Sequence, residues 1–115
     1  MKFEGIYTPL VTPFNDDFTL NKDALERTVE YLIDAGVHGL IVAGTTGEYY
    51  AMSMKERVYM MGLCRELIKE RLPMIVGTGA IRTEESIEYA QQAKANGADG
   101  LLIATPPYAY PNSRE

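Results

Sequence analysis

The sequence holds very few of the residues that build disulfides and zinc sites. Among 115 residues there is one cysteine, Cys64, and one histidine, His38. A single cysteine cannot form an intrachain disulfide, and such sparse use is typical of a reducing compartment such as the cytoplasm. One cysteine and one histidine cannot supply a zinc site, and the acidic residues fall mainly in helix-like segments rather than in a loop with ligand spacing. We therefore expect neither a metal nor a cofactor.

Positive charge and long apolar runs are also scarce. Eleven basic residues face sixteen acidic ones, which leaves a net charge of −5. Nucleic acids and anionic membranes attract basic surfaces, so neither is an expected partner. Apolar runs such as Leu40–Ala43 and Leu101–Ala104 are far too short to span a bilayer, and Met1–Gly5 contains no apolar signal core. These absences favour a cytoplasmic protein that acts on small molecules.

The chain alternates short apolar runs with amphipathic stretches. The runs end in Gly, Thr and Pro clusters, whereas the amphipathic stretches begin at helix-capping residues. The predicted strands are Gly5–Thr12, Gly39–Ala43, Met74–Val76 and Leu101–Ala104, and the predicted helices begin near Asn21, Ser53 and Thr83. Helix-length connections between strands predict a parallel sheet with right-handed crossovers, and continuously apolar strands predict burial on both sheet faces.

An internal repeat narrows the choice of fold. Gly36–Ala43 resembles Gly97–Ala104, and each segment reads as a helix end, a two-residue link and a buried strand. A repeated β-α unit is typical of a TIM barrel, which needs about 250 residues. We therefore interpret residues 1–115 as a single-domain α/β chain, the N-terminal half of a parallel (β/α)₈ TIM barrel, with four strands and three helices. An open doubly wound sheet is the alternative that periodicity leaves open.

In both folds the chemistry is expected at the carboxyl ends of the strands. Those ends read Thr12–Phe14, Gly44–Glu48, Gly77–Gly79 and Thr105–Tyr108, and they combine glycines with hydroxyl groups. Glycine allows backbone N–H groups to approach a ligand, and hydroxyls can pass protons. No cationic side chain precedes Arg82 in the first three of these loops. This pattern favours a small carboxylate or phosphate held by backbone N–H groups, although ordinary strand-to-helix turns would look similar.

Together these four loops make the chain similar to the dihydrodipicolinate synthase/N-acetylneuraminate lyase family over essentially all 115 residues. The segment Gly44-Thr45-Thr46-Gly47-Glu48 is the most specific part of the resemblance. The resemblance implies a TIM-barrel class I aldolase or related lyase without a cofactor. It implies that a lysine forms a Schiff base with pyruvate or another 2-oxo acid, in a homo-oligomer that is usually a tetramer and could be a dimer.

The resemblance also assigns roles to individual residues. Thr45 would supply a hydroxyl of a proton relay and contact the substrate, and Thr46 would hold the substrate carboxylate through its backbone N–H. Tyr108 would complete the relay in the site of a neighbouring subunit. We interpret Glu48 as structural, a buried or half-buried carboxylate that accepts hydrogen bonds from loop N–H groups.

The nucleophile that the family uses is not expected within this chain. In the family, the Schiff-base lysine lies on a later strand, beyond residue 115. An imine-forming lysine needs a depressed pKa in a dry pocket. The lysines present lie before the first strand or in helix-like segments, namely Lys2, Lys22, Lys55, Lys69 and Lys94. The chain alone is therefore expected to be inactive, and a half-barrel that binds small anions without catalysis is the rival hypothesis.

Several positions depart from the pattern of the lysine-inhibited synthases in this family. Tyr49 and Tyr50 replace small residues, and they could line the pocket or an oligomer interface. Met54, Arg57 and Ile81 stand where polar residues of those synthases contact the feedback inhibitor. The substrate of the parent protein could therefore be a sugar acid. Elsewhere, His38 is predicted to have a packing role in a loop, and Cys64 to be an inert core thiol.

Overall fold

The computed structural model describes residues 2–107. Its strands and helices alternate along the chain, as the sequence predicts. The strands are β1 (Tyr7–Pro9), β2 (Gly39–Val42), β3 (Met74–Gly77) and β4 (Gly100–Leu102), and the helices are α1 (Lys22–Asp34), α2 (Met54–Ile68) and α3 (Thr83–Ala95). A short 3-10 helix, Tyr49–Ala51, lies between β2 and α2. The predicted content of four strands and three helices is confirmed for this part of the chain.

The four strands form one parallel sheet in the order β1-β2-β3-β4. Each strand pairs with its predecessor in the chain, with Thr8 opposite Leu40, Leu40 opposite Met74, and Val76 opposite Leu101. A doubly wound sheet reverses its strand order at a switch point, whereas a barrel adds each strand beside the last. The observed order therefore favours the barrel over the open sheet.

The helices begin and end where local chemistry predicts. The Asn21 side chain accepts a hydrogen bond from the Ala24 N–H and caps α1. Ser53 and Glu56 form a complete capping box at the start of α2. After α1 and α3 the chain reverses through Gly36 and Gly97, whose φ angles of +82° and +77° suit glycine.

The core lies between the inner strands and the apolar stripes of the helices. Leu40, Val42, Met74 and Val76 of β2 and β3 are fully buried, as is Cys64 of α2. Burial raises the pKa of the Cys64 thiol to about 12. The expectation of an inert core thiol is confirmed, because the reactive thiolate is scarce at neutral pH.

The outer strands differ from their predictions. β1 begins only at Tyr7, although pairing extends past it through the Leu10 N–H, which donates to the Ile41 carbonyl at 2.9 Å. The prediction that β4 is buried on both faces is wrong for residues 2–107. Leu102 at its end is 45% exposed, and Ile103 just beyond it is 64% exposed. An apolar strand is buried only where another element packs on it, and strand sequence does not reveal whether one does.

Polar groups at the amino ends of the strands are joined in pairs. Arg65 forms an ion pair with Asp99 at 3.1 Å, and the Met74 N–H donates to the same carboxylate at 2.8 Å. His38 Nδ1 accepts from the Ile6 N–H at 2.9 Å, which confirms its packing role. Among residues 2–107, no helix is both long and apolar enough to cross a membrane.

Candidate active site at the carboxyl end of the sheet

The sheet brings the predicted loops together at one edge. Thr45, which follows β2, lines the same small hollow as Gly77 and Gly79, which lie at the end of β3 and just after it. Leu102 and Ala104, at the end of β4 and just beyond it, form another part of its wall. The structure thus brings two of the predicted glycine and hydroxyl loops, those after β2 and β3, together beside the end of β4.

This hollow is one wall of a site rather than a complete pocket. Its internal volume of about 20 Å³ leaves room for about one water molecule. A three-carbon keto acid is larger than a water molecule, so it cannot be enclosed by the described residues alone. A substrate site at this rim needs further walls.

The backbone of the threonine loop is held in an uncommon conformation. Ala43 and Glu48, which flank Gly44–Gly47, have φ angles of +54° and +55°. Left-handed conformations of non-glycine residues cost roughly 1–3 kcal/mol each, and they persist where the surroundings fix them. Gly77 supplies part of that constraint, because a Cβ at this position would lie 2.1 Å from the Ala43 carbonyl oxygen. Only glycine lets β3 approach the end of β2 this closely.

Thr12 ties the far side of the loop to the chain after β1. Its buried hydroxyl donates to the Gly47 carbonyl at 2.6 Å and lies 3.4 Å from the Met60 sulfur. Thr12 and Gly47 are both buried, and a buried carbonyl that lost its donor would destabilise the fold. Thr12, which follows β1, therefore holds in place the loop that follows β2.

The two candidate threonines themselves are exposed. Within residues 2–107 neither the Thr45 nor the Thr46 hydroxyl forms a hydrogen bond, and only Thr45 lines the hollow. Both hydroxyls are therefore free to meet a ligand. Tyr108 lies outside the described residues, so its place in a relay stays a prediction.

The interpretation of Glu48 is wrong. Its side chain is exposed rather than buried, and its carboxylate accepts no hydrogen bond within the described range. Glu48 forms its hydrogen bonds through its backbone instead. Its N–H donates to the Thr45 carbonyl at 3.0 Å, and its carbonyl accepts from the Ala51 N–H at 2.9 Å. Glu48 also has a left-handed backbone, with a φ angle of +55°.

Arg57, which the sequence analysis names only as a departure from the inhibitor-contacting pattern, lies against the loop after β3. This α2 side chain is only 3% exposed, and its guanidinium donates to the carbonyls of Gly77 at 2.8 Å and Gly79 at 3.2 Å. The guanidinium also lies 3.7 Å from the ring centre of Tyr89 and 4.9 Å from that of Tyr49. The loops themselves lack a cation before Arg82, but a helix supplies one from behind.

A sequence signal for Arg57 was available. The residue lies three positions before Met60 and seven before Cys64, so it continues the buried stripe of α2 toward the amino terminus. A charged residue on an apolar stripe needs partners in the interior. Burial lowers the pKa of the guanidinium, yet arginine stays protonated at neutral pH.

The neighbouring tyrosines separate into two environments. Tyr49 is half-buried, lies over Arg57 and lines the hollow, whereas Tyr50 is 68% exposed. Of the two roles left open for the pair, pocket lining fits Tyr49. In the described part of the chain, no cluster of three or more His, Cys, Asp or Glu side chains could hold a metal ion.

The comparisons with known proteins agree with the geometry of this rim. The family model of the dihydrodipicolinate synthetase family matches residues 2–115. The 4-hydroxy-tetrahydrodipicolinate synthase of Chelativorans sp. is 43% identical over 112 residues, which are 97% of this chain and 38% of that enzyme. The enzyme of the same name from Bartonella bacilliformis is 40% identical over 109 residues, 95% of this chain and 37% of its own length.

A solved structure gives the same result in three dimensions. YagE of E. coli K12, a prophage protein of the dihydrodipicolinic acid synthase family crystallised with pyruvate, superposes with a TM-score of 0.92 at 34% identity. The match covers 96% of this chain and 37% of YagE. The chain thus spans about two fifths of the length of its relatives, and its sheet corresponds to part of their barrel. With the sequence profile, the relatives and the strand order in agreement, the chain belongs to the dihydrodipicolinate synthetase family of lyases.

Proposed function

We propose that the protein containing this chain is a lyase that forms a Schiff base with pyruvate or a related 2-oxo acid. The observation that carries the proposal is the placement of Thr45 beside Gly77 and Gly79 at the carboxyl rim of a parallel sheet. A carboxylate held by backbone N–H groups and threonine hydroxyls fits this hollow, which no charged side chain of residues 2–107 lines. The crystal structure of the relative YagE with pyruvate supports a keto acid as the ligand class.

In this proposal the chain supplies binding and proton transfer, and a lysine elsewhere supplies the nucleophile. The Thr46 N–H and the loop around it hold the carboxylate, while the Thr45 hydroxyl passes protons, with Tyr108 as its relay partner. Imine formation joins a lysine nitrogen to the keto carbon and releases water, so protons must move at the carbonyl oxygen. Hydroxyl groups can move them where titratable side chains are few.

The lysines of this chain are poor candidates for the nucleophile. All five of them are exposed to solvent, namely Lys2, Lys22, Lys55, Lys69 and Lys94. Lysines that form imines lie in dry pockets, and none of these five side chains does. We therefore propose that residues 1–115 are the first half of one barrel domain and that the lysine lies beyond them. A homo-oligomer and a cytoplasmic location stay predictions.

A trapping experiment tests the proposal. The protein expressed from its complete reading frame, called the full-length protein below, is mixed with pyruvate and sodium borohydride. Hydride adds to the imine carbon and converts the imine to a stable secondary amine, which peptide mass spectrometry locates. We expect one adduct, on a lysine outside residues 1–115. An absence of adduct would remove the proposed chemistry, and anion binding without an adduct would favour the non-catalytic half-barrel.

A further inference from the structure

Arg57 is a buried cation whose role the threonine loop does not explain. Its guanidinium donates to two backbone carbonyls and lies between two tyrosine rings. Among residues 2–107 no carboxylate pairs with it, and its buried Nε has no acceptor. Buried charges are usually paired because the interior solvates them poorly. A cation kept in the interior without a counter-charge therefore needs an explanation beyond packing.

Three of the four residues that Arg57 contacts belong to segments that surround the hollow. Tyr49 follows the threonine loop, and Gly77 and Gly79 belong to the β3 loop. The same three residues line the hollow together with Thr45. Tyr89 lies on α3, which follows the β3 loop. The side chain thus joins both loops from behind the wall that faces the ligand.

We propose that Arg57 is a positioning residue for the substrate carboxylate. It holds the threonine loop and the β3 loop in register, and it places directly behind them a positive charge that no carboxylate of residues 2–107 pairs with. This inference rests on the proposed function, in that it names how the same site attracts an anion.

Two physical effects support an influence on anion binding. A charge in an environment of low dielectric constant acts over a longer range than one in water, so a cation behind the wall favours an anion in front of it. Arg57 also engages the carbonyl oxygens of Gly77 and Gly79, whose partial negative charge would otherwise oppose a carboxylate. Both effects act on the bound anion, so they should change KM more than kcat.

The same helix offers a matched control. Arg65 follows Arg57 by eight residues on α2, and its guanidinium also donates to backbone carbonyls, those of Gly97 and Leu72. It pairs with Asp99, however, and lies at the amino ends of the strands. Replacement of Arg65 therefore removes a similar set of contacts without touching the rim.

The test uses Arg57→Met, Arg57→Lys and Arg65→Met in the full-length protein. A Schiff base with pyruvate exchanges methyl protons through its enamine, so deuterium incorporation into pyruvate measures KM and kcat without a second substrate. We expect Arg57→Met to raise KM about tenfold with a smaller change in kcat. This is the pattern for a mutation that weakens binding of the substrate and of the transition state equally. Arg57→Lys keeps the charge and should recover part of the loss. Arg65→Met should lower the melting temperature and leave KM unchanged.

Other results would overturn the proposal. An unchanged KM in Arg57→Met would do so, as would an equal rise in KM in Arg65→Met. If Arg57→Met does not fold, Arg57→Lys carries the test, and it should raise KM because an ammonium cannot span both carbonyls. A Lys variant as active as the wild type would then contradict the positioning role.

A second readout separates this inference from the proposed function. Hydrogen exchange of residues 45–51 and 77–80 reports loop order without any catalysis. We expect faster exchange there in the Arg57 variants and not in Arg65→Met. If the wild type forms no Schiff base, the proposed function fails while loop order still depends on Arg57. If exchange in both segments is the same in all variants, the positioning role fails even where catalysis is intact.

Discussion

The two ends of the sheet are built from similar residues in opposite ways. At the amino ends, charges are matched, since Arg65 pairs with Asp99 and that carboxylate also accepts from the Met74 N–H. At the carboxyl ends, Thr45 is exposed without a partner in the described range, and the buried Arg57 meets carbonyls and rings but no carboxylate. Paired polar groups stabilise a fold, whereas unpaired ones are available to a ligand. The comparison therefore favours a stabilising role for the amino ends and supports the proposed ligand site at the carboxyl ends.

The largest effect should follow from removal of the Thr45 hydroxyl. Thr45→Val keeps the shape of the side chain but cannot pass a proton. We expect kcat for deuterium exchange into pyruvate to fall about 100-fold or more, within the usual range for acid–base catalysis. The melting temperature should hardly change because the side chain is exposed. Thr45→Ser keeps a hydroxyl and should retain most of the activity; a fully active Thr45→Val would place the proton relay elsewhere.

The next effect is on stability at the same rim. In Gly77→Ala the added methyl group would lie 2.1 Å from the Ala43 carbonyl oxygen, so the backbone must shift. We expect a loss of about 3 kcal/mol in unfolding free energy, at the upper end for overpacking. Gly44→Ala is the control, since its nearest contact would be an ordinary 3.6 Å from Ile41. Equal urea midpoints for the two variants would show that the close approach of β2 and β3 does not matter.

The amino end should respond in stability alone. Asp99→Ala leaves the Met74 N–H without its acceptor and Arg65 without its counter-charge. We expect a loss of about 1–3 kcal/mol in unfolding free energy from the unpaired groups. Exchange kinetics measured below the new melting temperature should match those of the wild type. A fall in kcat comparable to that of Thr45→Val would erase the distinction between the two ends.

The smallest expected effect is a pH dependence at the start of α2. The Ser53 N–H donates to the Glu56 carboxylate at 2.8 Å and holds the pKa of Glu56 below its ordinary value of 4.5. Because folding lowers this pKa, the ionised Glu56 stabilises the protein fully at pH values above 4.5. This stabilisation is lost as the pH falls through the lower pKa of Glu56 in the folded state. Melting curves of wild type and Glu56→Gln should differ at neutral pH and converge in acid. A difference that persists in acid would assign the effect to packing.

Much of the fold follows from local chemistry. The caps at Asn21 and Ser53 set the starts of two helices, and the apolar run of β2 identifies a buried strand, because these signals depend on neighbours in sequence. Exposure of β4 could not be predicted in the same way. It depends on whether another element packs against Leu102 and Ile103, and the residues of the strand do not encode that.

The candidate site, like the fold, could be predicted from the sequence only in part. Parallel strands end at one edge, so the meeting of Thr45 with Gly77 followed from strand order. The contacts of Arg57 with Gly77 and Gly79 join residues 20 and 22 positions apart, and no local pattern encodes them. The exposure of the Glu48 side chain could not be predicted either, because it depends on the left-handed backbone that this residue adopts in the folded loop.

Hydrogen exchange of the full-length protein with and without pyruvate tests the central claim most directly. If the threonine rim holds the keto acid, pyruvate should slow amide exchange in residues 44–47 and leave residues 36–39, at the opposite end of β2, unchanged. Protection at residues 36–39, or an imine adduct that forms with no protection at residues 44–47, would contradict the account.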